Sequence, residues 1–246
     1  MFHPSHENTV VWRYMSFASF VAMITKRELF FRRPCKFDDR WEGLYPPCFE
    51  QRTMEYFKSI DEPEGAIADW KRNFLRVQQG SRCGSFVNCW HAQEHESDAM
   101  WRLYGSSKES VAIRSTIGKI MECLVPSPDS FGDVQYYAPD DLTFKSLRSG
   151  FFKRNHFEHE HEVRFWYEDR AVRARIANDE VIRDDNLSKG EAHAISDPPK
   201  MIQKIVVAPG AEDWFFDAVK RVSGSLSPCV RRSLMDSIHS ASLPVK

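Results

Sequence analysis

Lys153-Arg-Asn-His-Phe157-Glu-His-Glu160-His-Glu162-Val-Arg164-Phe-Trp166 gathers carboxylates, histidines and cations into what reads as the start of a strand. Strand period two puts Glu158, Glu160, Glu162, Arg164 and Trp166 on one face, and His159, His161, Val163, Phe165 and Tyr167 on the other. Carboxylates set side by side repel unless a cation, a metal or a raised pKa relieves them, so such clusters gather at chemical sites. The competing reading is a solvated face carrying cross-strand ion pairs. Both readings place a strand here, and the chain around it is parsed from that strand outward.

Upstream, Val10 to Tyr14 reads as a strand, Ser16 as the cap of a helix over Phe17 to Thr25, and Glu28 to Arg32 as a second strand. Asp38 to Gly43 forms a turn, and Glu50 to Gln79 is mostly helical with a break around Asp61 to Gly65. Arg82 to Trp90 is predicted as a strand. A helix from Ser97 carries Met100, Trp101 and Tyr104 on one apolar face. Val111 to Ser115 is strand-like, Ile117 to Leu124 a short helix, Asp133 to Tyr137 a strand and Asp140 to Lys153 a helix leading into the acidic strand. Downstream, Ala177 to Pro199 is polar and without period, which predicts a mobile loop or insertion. Lys204 to Ala208 reads as a strand, Pro209-Gly210 as a turn and Glu212 to Val222 as an amphipathic helix. With no repeat and no long linker, the expectation is one α+β domain over residues 1–246: a mixed or antiparallel twisted sheet, open to being split, with flanking helices.

The 246 residues, 42% apolar and 13% aromatic, suffice for a sizeable core. Lys plus Arg number 34 against 35 Asp plus Glu, so no global basic field draws in nucleic acid, and any such contact would be local. The cysteines, Cys35, Cys48, Cys83, Cys89, Cys123 and Cys229, form no CxxC pair; they read as reduced core thiols. Residues 1–8 lack the basic region and apolar core of a targeting peptide, and the apolar run from Phe17 to Ile24 is too short for a bilayer, so a cytoplasmic protein without membrane contact is expected.

Metal binding by the acidic strand is disfavoured by alternation, because His159 and His161 point away from the glutamates and no HExxH spacing occurs; no metal ligand is assigned. As an electrostatic site the strand does better. Glu160 and Glu162 would sit about 7 Å apart on one face with Arg164 continuing the row. One carboxylate would stabilise an oxocarbenium-like centre while its neighbour orients a nucleophile. Arg13, Arg114, Lys153 and Arg164 are candidate phosphate ligands, each equally half of a surface ion pair. Trp12, Tyr14, Trp41, Trp90, Trp101 and Tyr104 either fill cores or stack on a base. Ser115-Thr116 either meets a sugar or caps the next helix.

The ordered blocks Trp12-Arg-Tyr14, Leu29-Phe-Phe, Phe37-Asp-Asp39-Arg-Trp41-Glu42, Cys89-Trp90, Met100-Trp-Arg-Leu-Tyr104, Val111-Ala-Ile, Val134-Gln-Tyr136, Lys153 with Phe157, Glu160-x-Glu162-x-Arg164 and Ile205-Val-Val-Ala-Pro-Gly resemble a bacterial family catalogued as domain of unknown function 2971. The resemblance spans Val10 to Val222. It departs at Arg40, where that family usually has proline, and at Asp38, usually asparagine. It implies a phage-defence or abortive-infection setting and names no reaction. Separately, Arg13, then Arg114-Ser115-Thr116, then Glu160-x-Glu162 is similar in order to the Arg, Ser-Thr-Ser and Glu-x-Glu layout of mono-ADP-ribosyltransferases. That likeness implies a cleft in a split sheet binding NAD as substrate. Glu162 would face the ribosyl cation, Glu160 the acceptor or water, and Arg13, Arg164 or Lys153 the pyrophosphate. Tyr14, Trp101 or Tyr104 would stack on a ring, with Ser115 beside the sugar. The alternatives are a metal-dependent nuclease using Glu160, Glu162 and the histidines, and a non-catalytic sensor or antitoxin-like module meeting a protein partner through Ala177 to Pro199.

Overall fold

The computed structural model describes residues 6–105, 107–138 and 149–237. The strands are β1 (Val10–Ser16), β2 (Glu28–Arg32), β3 (Ser85–Ala92), β4 (Ser110–Thr116), β5 (Leu124–Val125), β6 (Ser130–Asp133), β7 (Gln135–Tyr137), β8 (Phe152–Arg154), β9 (Glu162–Glu168), β10 (Gly190–Ile195), β11 (Lys204–Val207) and β12 (Val230–Arg232). The helices are α1 (Phe17–Lys26), α2 (Pro47–Ser59), α3 (Glu64–Cys83), α4 (Asp98–Met100), α5 (Ile117–Cys123), α6 (Arg170–Ala177), α7 (Pro198–Met201), α8 (Asp213–Ser223) and α9 (Leu234–Ser237). The architecture is α+β, as expected: one mixed sheet with flanking helices.

β3 organises the sheet. Along one edge it pairs with β9 over seven residues, from Ser85↔Glu168 to His91↔Glu162, and β6 continues beyond β9. Its other edge is shared. β1 holds only the Trp12↔His91 and Val11↔Ala92 end, and β2 only Arg32↔Val87. β1 then carries β4, β11 and β12 outward, while β2 carries β10 and β5. The sheet therefore opens between two wings at Asn88 to Trp90. Side chains bridge the opening: Arg13 Nη1 donates to the Cys89 carbonyl at 2.7 Å, and Asn88 Nδ2 to the Phe30 carbonyl at 2.9 Å. These bonds tie the strands together where the β1–β3 and β2–β3 ladders are interrupted.

Alternation sends the two faces to different tasks. Val11, Met15, Phe86, Trp90, Val163, Phe165, Leu29 and Phe31 point to the main core, which α1, α5 and α8 close with Phe20, Ile117, Ile120, Phe215 and Val219. Burial of each such side chain contributes about 1.5–3 kcal/mol. The opposite face carries Trp12, Tyr14, Cys89, His91, Glu162 and Arg164. Over it lie the turns around 34–45, the π-helical turn Trp101–Gly105 and the segment from Ser149 to Glu160.

Several expectations are corrected. The extended reading of the acidic stretch holds only from Glu162 onward, because Asn155–Glu160 is a 3-10 turn and His161 turns the chain in the left-handed region (φ 39°). Glu158 and His159 consequently face solvent. Ala177 to Pro199 is no loose insertion: it contains β10, paired with β2 from Ala194↔Glu28 to Gly190↔Arg32. Asp133 to Tyr137 divides at Val134 between β6, in the main sheet, and β7, which pairs in parallel with β8. The helix expected from Asp140 lies mostly outside the described residues. Its described end is a 3-10 turn at Ser149–Phe151 followed by β8. The strand expected from Arg82 begins at Ser85, because α3 runs through Cys83. Among the described residues no helix is long and apolar enough to cross a membrane.

Candidate active site

A cavity of about 650 Å³ lies against the face that the acidic strand shares with β1 and β3. That size falls within the range of small-molecule sites. Arg13, Tyr14, Tyr104, Lys153, Glu160, Glu162 and Arg164, all singled out from the sequence, line it. The other two do not. Ser115 is fully buried on the opposite face, where its hydroxyl donates to the Met201 carbonyl at 2.6 Å. Trp101 packs edge-on against Tyr14 (centroids 4.9 Å apart) and donates its indole N–H to Glu96 at 3.1 Å. It supports the wall rather than forming it.

The floor is a charge network. Glu162, 5% exposed, is gripped by Arg164 in a fork, Nε to Oε1 at 2.6 Å and Nη2 to Oε2 at 3.1 Å, while Lys153 Nζ reaches Oε2 at 3.1 Å. Its backbone N–H donates to the Tyr136 hydroxyl at 2.8 Å. Burial alone would push this carboxyl's pKa up, but Arg164 and Lys153 more than reverse that and hold it well below the usual range. Arg164, 1% exposed, also donates Nη1 to the Gly150 carbonyl and lies in ion contact with Glu42. The Glu42 Oε1 has no aligned hydrogen bond, and for that carboxyl burial, with repulsion from Glu162, outweighs the pull of Arg164 and Lys153 and raises its pKa. Arg164 can face both acids, yet its aligned hydrogen bonds fix the negative charge on Glu162. Lys153 also salt-bridges Glu160; the carboxylates around it overcome burial and raise its pKa, so it stays protonated.

Glu160 is differently placed. It closes the 3-10 turn, 7% exposed, and its Oε1 accepts from the Tyr104 hydroxyl at 3.0 Å while Oε2 meets Lys153. A carboxylate has about four acceptor positions, so two partners leave Glu160 spare capacity, whereas Glu162 takes three bonds from Arg164 and Lys153 and a further one from the Cys89 thiol. Tyr104 is 46% exposed, so its ring wets one side while its hydroxyl reaches inward. Phe157 covers Lys153, with Nζ 4.8 Å from the ring centroid. Phe30, Phe37 and the cations Arg32 and Lys189 stand among the outer lining residues. Arg13, by alternation a core-facing residue, enters through the opening between the two wings.

His91 went unnoticed in the sequence. It is 2% exposed and lines the cavity; Nδ1 lies 2.6 Å from the Glu160 carbonyl oxygen, whereas Nε2 is buried with no partner. An Nδ1 facing a carbonyl must carry the proton, leaving Nε2 as a bare acceptor. Burial lowers its pKa and keeps the ring neutral. Nothing in the run Asn88-Cys-Trp-His91 signals this; it emerges only from the Trp12↔His91↔Glu162 register. The histidines of the acidic stretch, His156, His159 and His161, are exposed and do not join the carboxylates. Among the described residues, the His, Cys, Asp and Glu side chains that converge as a ligand set lie elsewhere, at Cys35, Cys83 and Asp184.

No family model, curated protein or solved structure matches this chain, so its functional reading rests on the geometry above.

Proposed function

We propose that the cavity binds a dinucleotide of the NAD class and that the chain cleaves or transfers at its N-glycosidic bond. The observation that carries this is Glu160, a carboxylate with spare acceptor capacity, held between aromatic walls over a floor whose charges are already compensated. Departure of nicotinamide needs no acid, because the ring nitrogen is cationic and leaves neutral with the bond's electron pair. What it requires is an anion beside the developing ribosyl cation and shelter from bulk water. Glu160 supplies the anion. Glu162, saturated by Arg164 and Lys153, orients the floor rather than meeting substrate. His91 Nε2 accepts a proton from the water or hydroxyl that adds to the ribosyl carbon. Tyr104 and Tyr14 offer ring faces, and Arg32 or Lys189 near the mouth meets the pyrophosphate. A toxin-type or defence effector working in the cytoplasm fits such chemistry, as the sequence resemblance implies.

Incubating the chain with NAD should release nicotinamide, detected by chromatography, with release lost in Glu160→Gln and the fold kept by circular dichroism. NAD left intact by a folded wild type, with no quenching of tryptophan fluorescence by NAD, would overturn the proposal. Quenching without turnover would favour a second reading, a nucleotide-binding sensor. One observation supports that reading: both oxygens of Glu162 are already occupied.

A further inference from the structure

A second cluster of side chains converges apart from the cavity lining. Cys35 sits in the 3-10 turn Pro34–Lys36 after β2, Cys83 is the last residue of α3, and Asp184 opens the 3-10 turn Asp184–Asn186. One atom from each, two sulfurs and a carboxylate oxygen, lie within 4.8 Å of one another, and Cys83 Sγ donates to Asp184 Oδ1 at 3.2 Å. We propose that Cys35, Cys83 and Asp184 form a binding site for one zinc-class divalent ion, with water completing a tetrahedron. The site is separate from the proposed nucleotide chemistry and would stand if that reading failed.

The chemistry of the three donors favours a metal over a disulfide. A Cys35–Cys83 bond would use only the sulfurs and leave Asp184 against a neutral sulfur, whereas a soft-to-borderline cation uses all three. Two thiolates and a carboxylate around a doubly charged ion leave one net negative charge. Cations surround the site to balance it: Arg33 donates to the Cys83 carbonyl, Lys36 to the Asp184 carbonyl, and Arg82 lies 3.5 Å from the second Asp184 oxygen. The hydrogen bond from Cys83, helped by Arg33 and Lys36, favours the thiolate at Cys35, whereas Cys83 is held as a thiol by its contacts with Cys35 and Asp184 and by burial, so an ion must displace its proton on binding. Cys83 is buried and Asp184 is partly exposed, so the carboxylate is the side from which an ion would approach. Three ligands far apart in sequence would be tied by one ion, and Phe37, Asp38 and Asp39, which follow directly on Lys36, line the cavity. Zinc would staple the mouth of the site to α3.

The full chain, reduced and loaded with zinc, then freed of excess metal, should retain it stoichiometrically by elemental analysis. Zinc should protect Cys35 and Cys83 from maleimide labelling, mapped by peptide mass, and a chelator should restore labelling and lower Tm. Cobalt should give the near-ultraviolet sulfur-to-metal absorption of two thiolates. That band should fall in Cys35→Ser and Cys83→Ser, while Asp184→Asn should keep the band and bind more weakly. No retained zinc in the reduced wild type would overturn the site, as would zinc whose protection falls on other cysteines or a cobalt spectrum without the sulfur band. The cobalt and labelling readings on the wild type decide the matter even if a variant fails to fold.

Discussion

Glu160 and Glu162 stand two residues apart and share Lys153, yet their burdens differ. Removing Glu162 leaves Arg164, 1% exposed, with only the poorly aligned Glu42 as a counter-charge. Glu162→Gln should cost about 3–5 kcal/mol of stability by urea unfolding, the usual consequence of orphaning a buried charge. Glu160→Gln, which keeps an acceptor for Tyr104, should cost only about 1–2 kcal/mol while eliminating nicotinamide release. The pH dependence of stability follows from the same residues. Glu162 is held below its ordinary value, so its contribution is complete above about pH 4.5 and is lost as pH falls further, when the unfolded chain takes up the proton first. His91 and His193 are also held below the ordinary value, in both cases by burial. Their unfolded forms protonate first as pH drops below about 6.5, so stability should begin to decline there. Urea midpoints measured across pH should show this two-stage loss, with the upper stage reduced in His91→Gln.

At the level of elements, the opening between β1 and β2 makes Arg13 a surrogate for a missing strand neighbour. Arg13→Ala strands the Cys89 carbonyl and should cost about 1–3 kcal/mol, with faster amide exchange around Asn88 to Trp90; Arg13→Lys should restore part of it. A β-carbon added at Gly150 would overlap the Trp166 ring, and Arg164 hydrogen-bonds the Gly150 carbonyl, so Gly150→Ala should destabilise by about 1–3 kcal/mol and loosen that contact. The elements also mark what the sequence could reveal. β1, α1, β2, β4 and α8 carry strong apolar periods and caps such as Ser16, whose hydroxyl accepts from Ser19 N–H, and they form where expected. β10 hid because Gly190 and Glu191 lend it the look of a loop; its partner β2 lies far upstream, beyond any local pattern. Period two sets Glu160 beside Glu162, and the two do meet, but a left-handed turn at His161, not a straight strand, brings both to Lys153. His91 and the Cys35, Cys83 and Asp184 cluster were illegible because only tertiary register assembles them.

The molecule as a whole offers a ligand two wings of one sheet and a roof of turns, with Trp12 and Trp90 among the cavity's lining residues. NAD at a hundredfold excess over its Kd should raise unfolding stability by about 2.7 kcal/mol, read as a rise in Tm, and should quench intrinsic fluorescence. Glu160→Gln, lacking turnover, lets the same measurement be made without loss of ligand.

β3 meets β1 and β2 early in the chain, but the whole of its other edge belongs to β9, and β2 waits for β10. A nascent chain leaving the ribosome would therefore expose an open strand edge and hold no acidic floor until the segment Phe152 to Glu168 had been translated. Pairings of such long sequence separation form slowly. Any activity of the site would thus be withheld during synthesis, and a prematurely terminated product would be inert by construction.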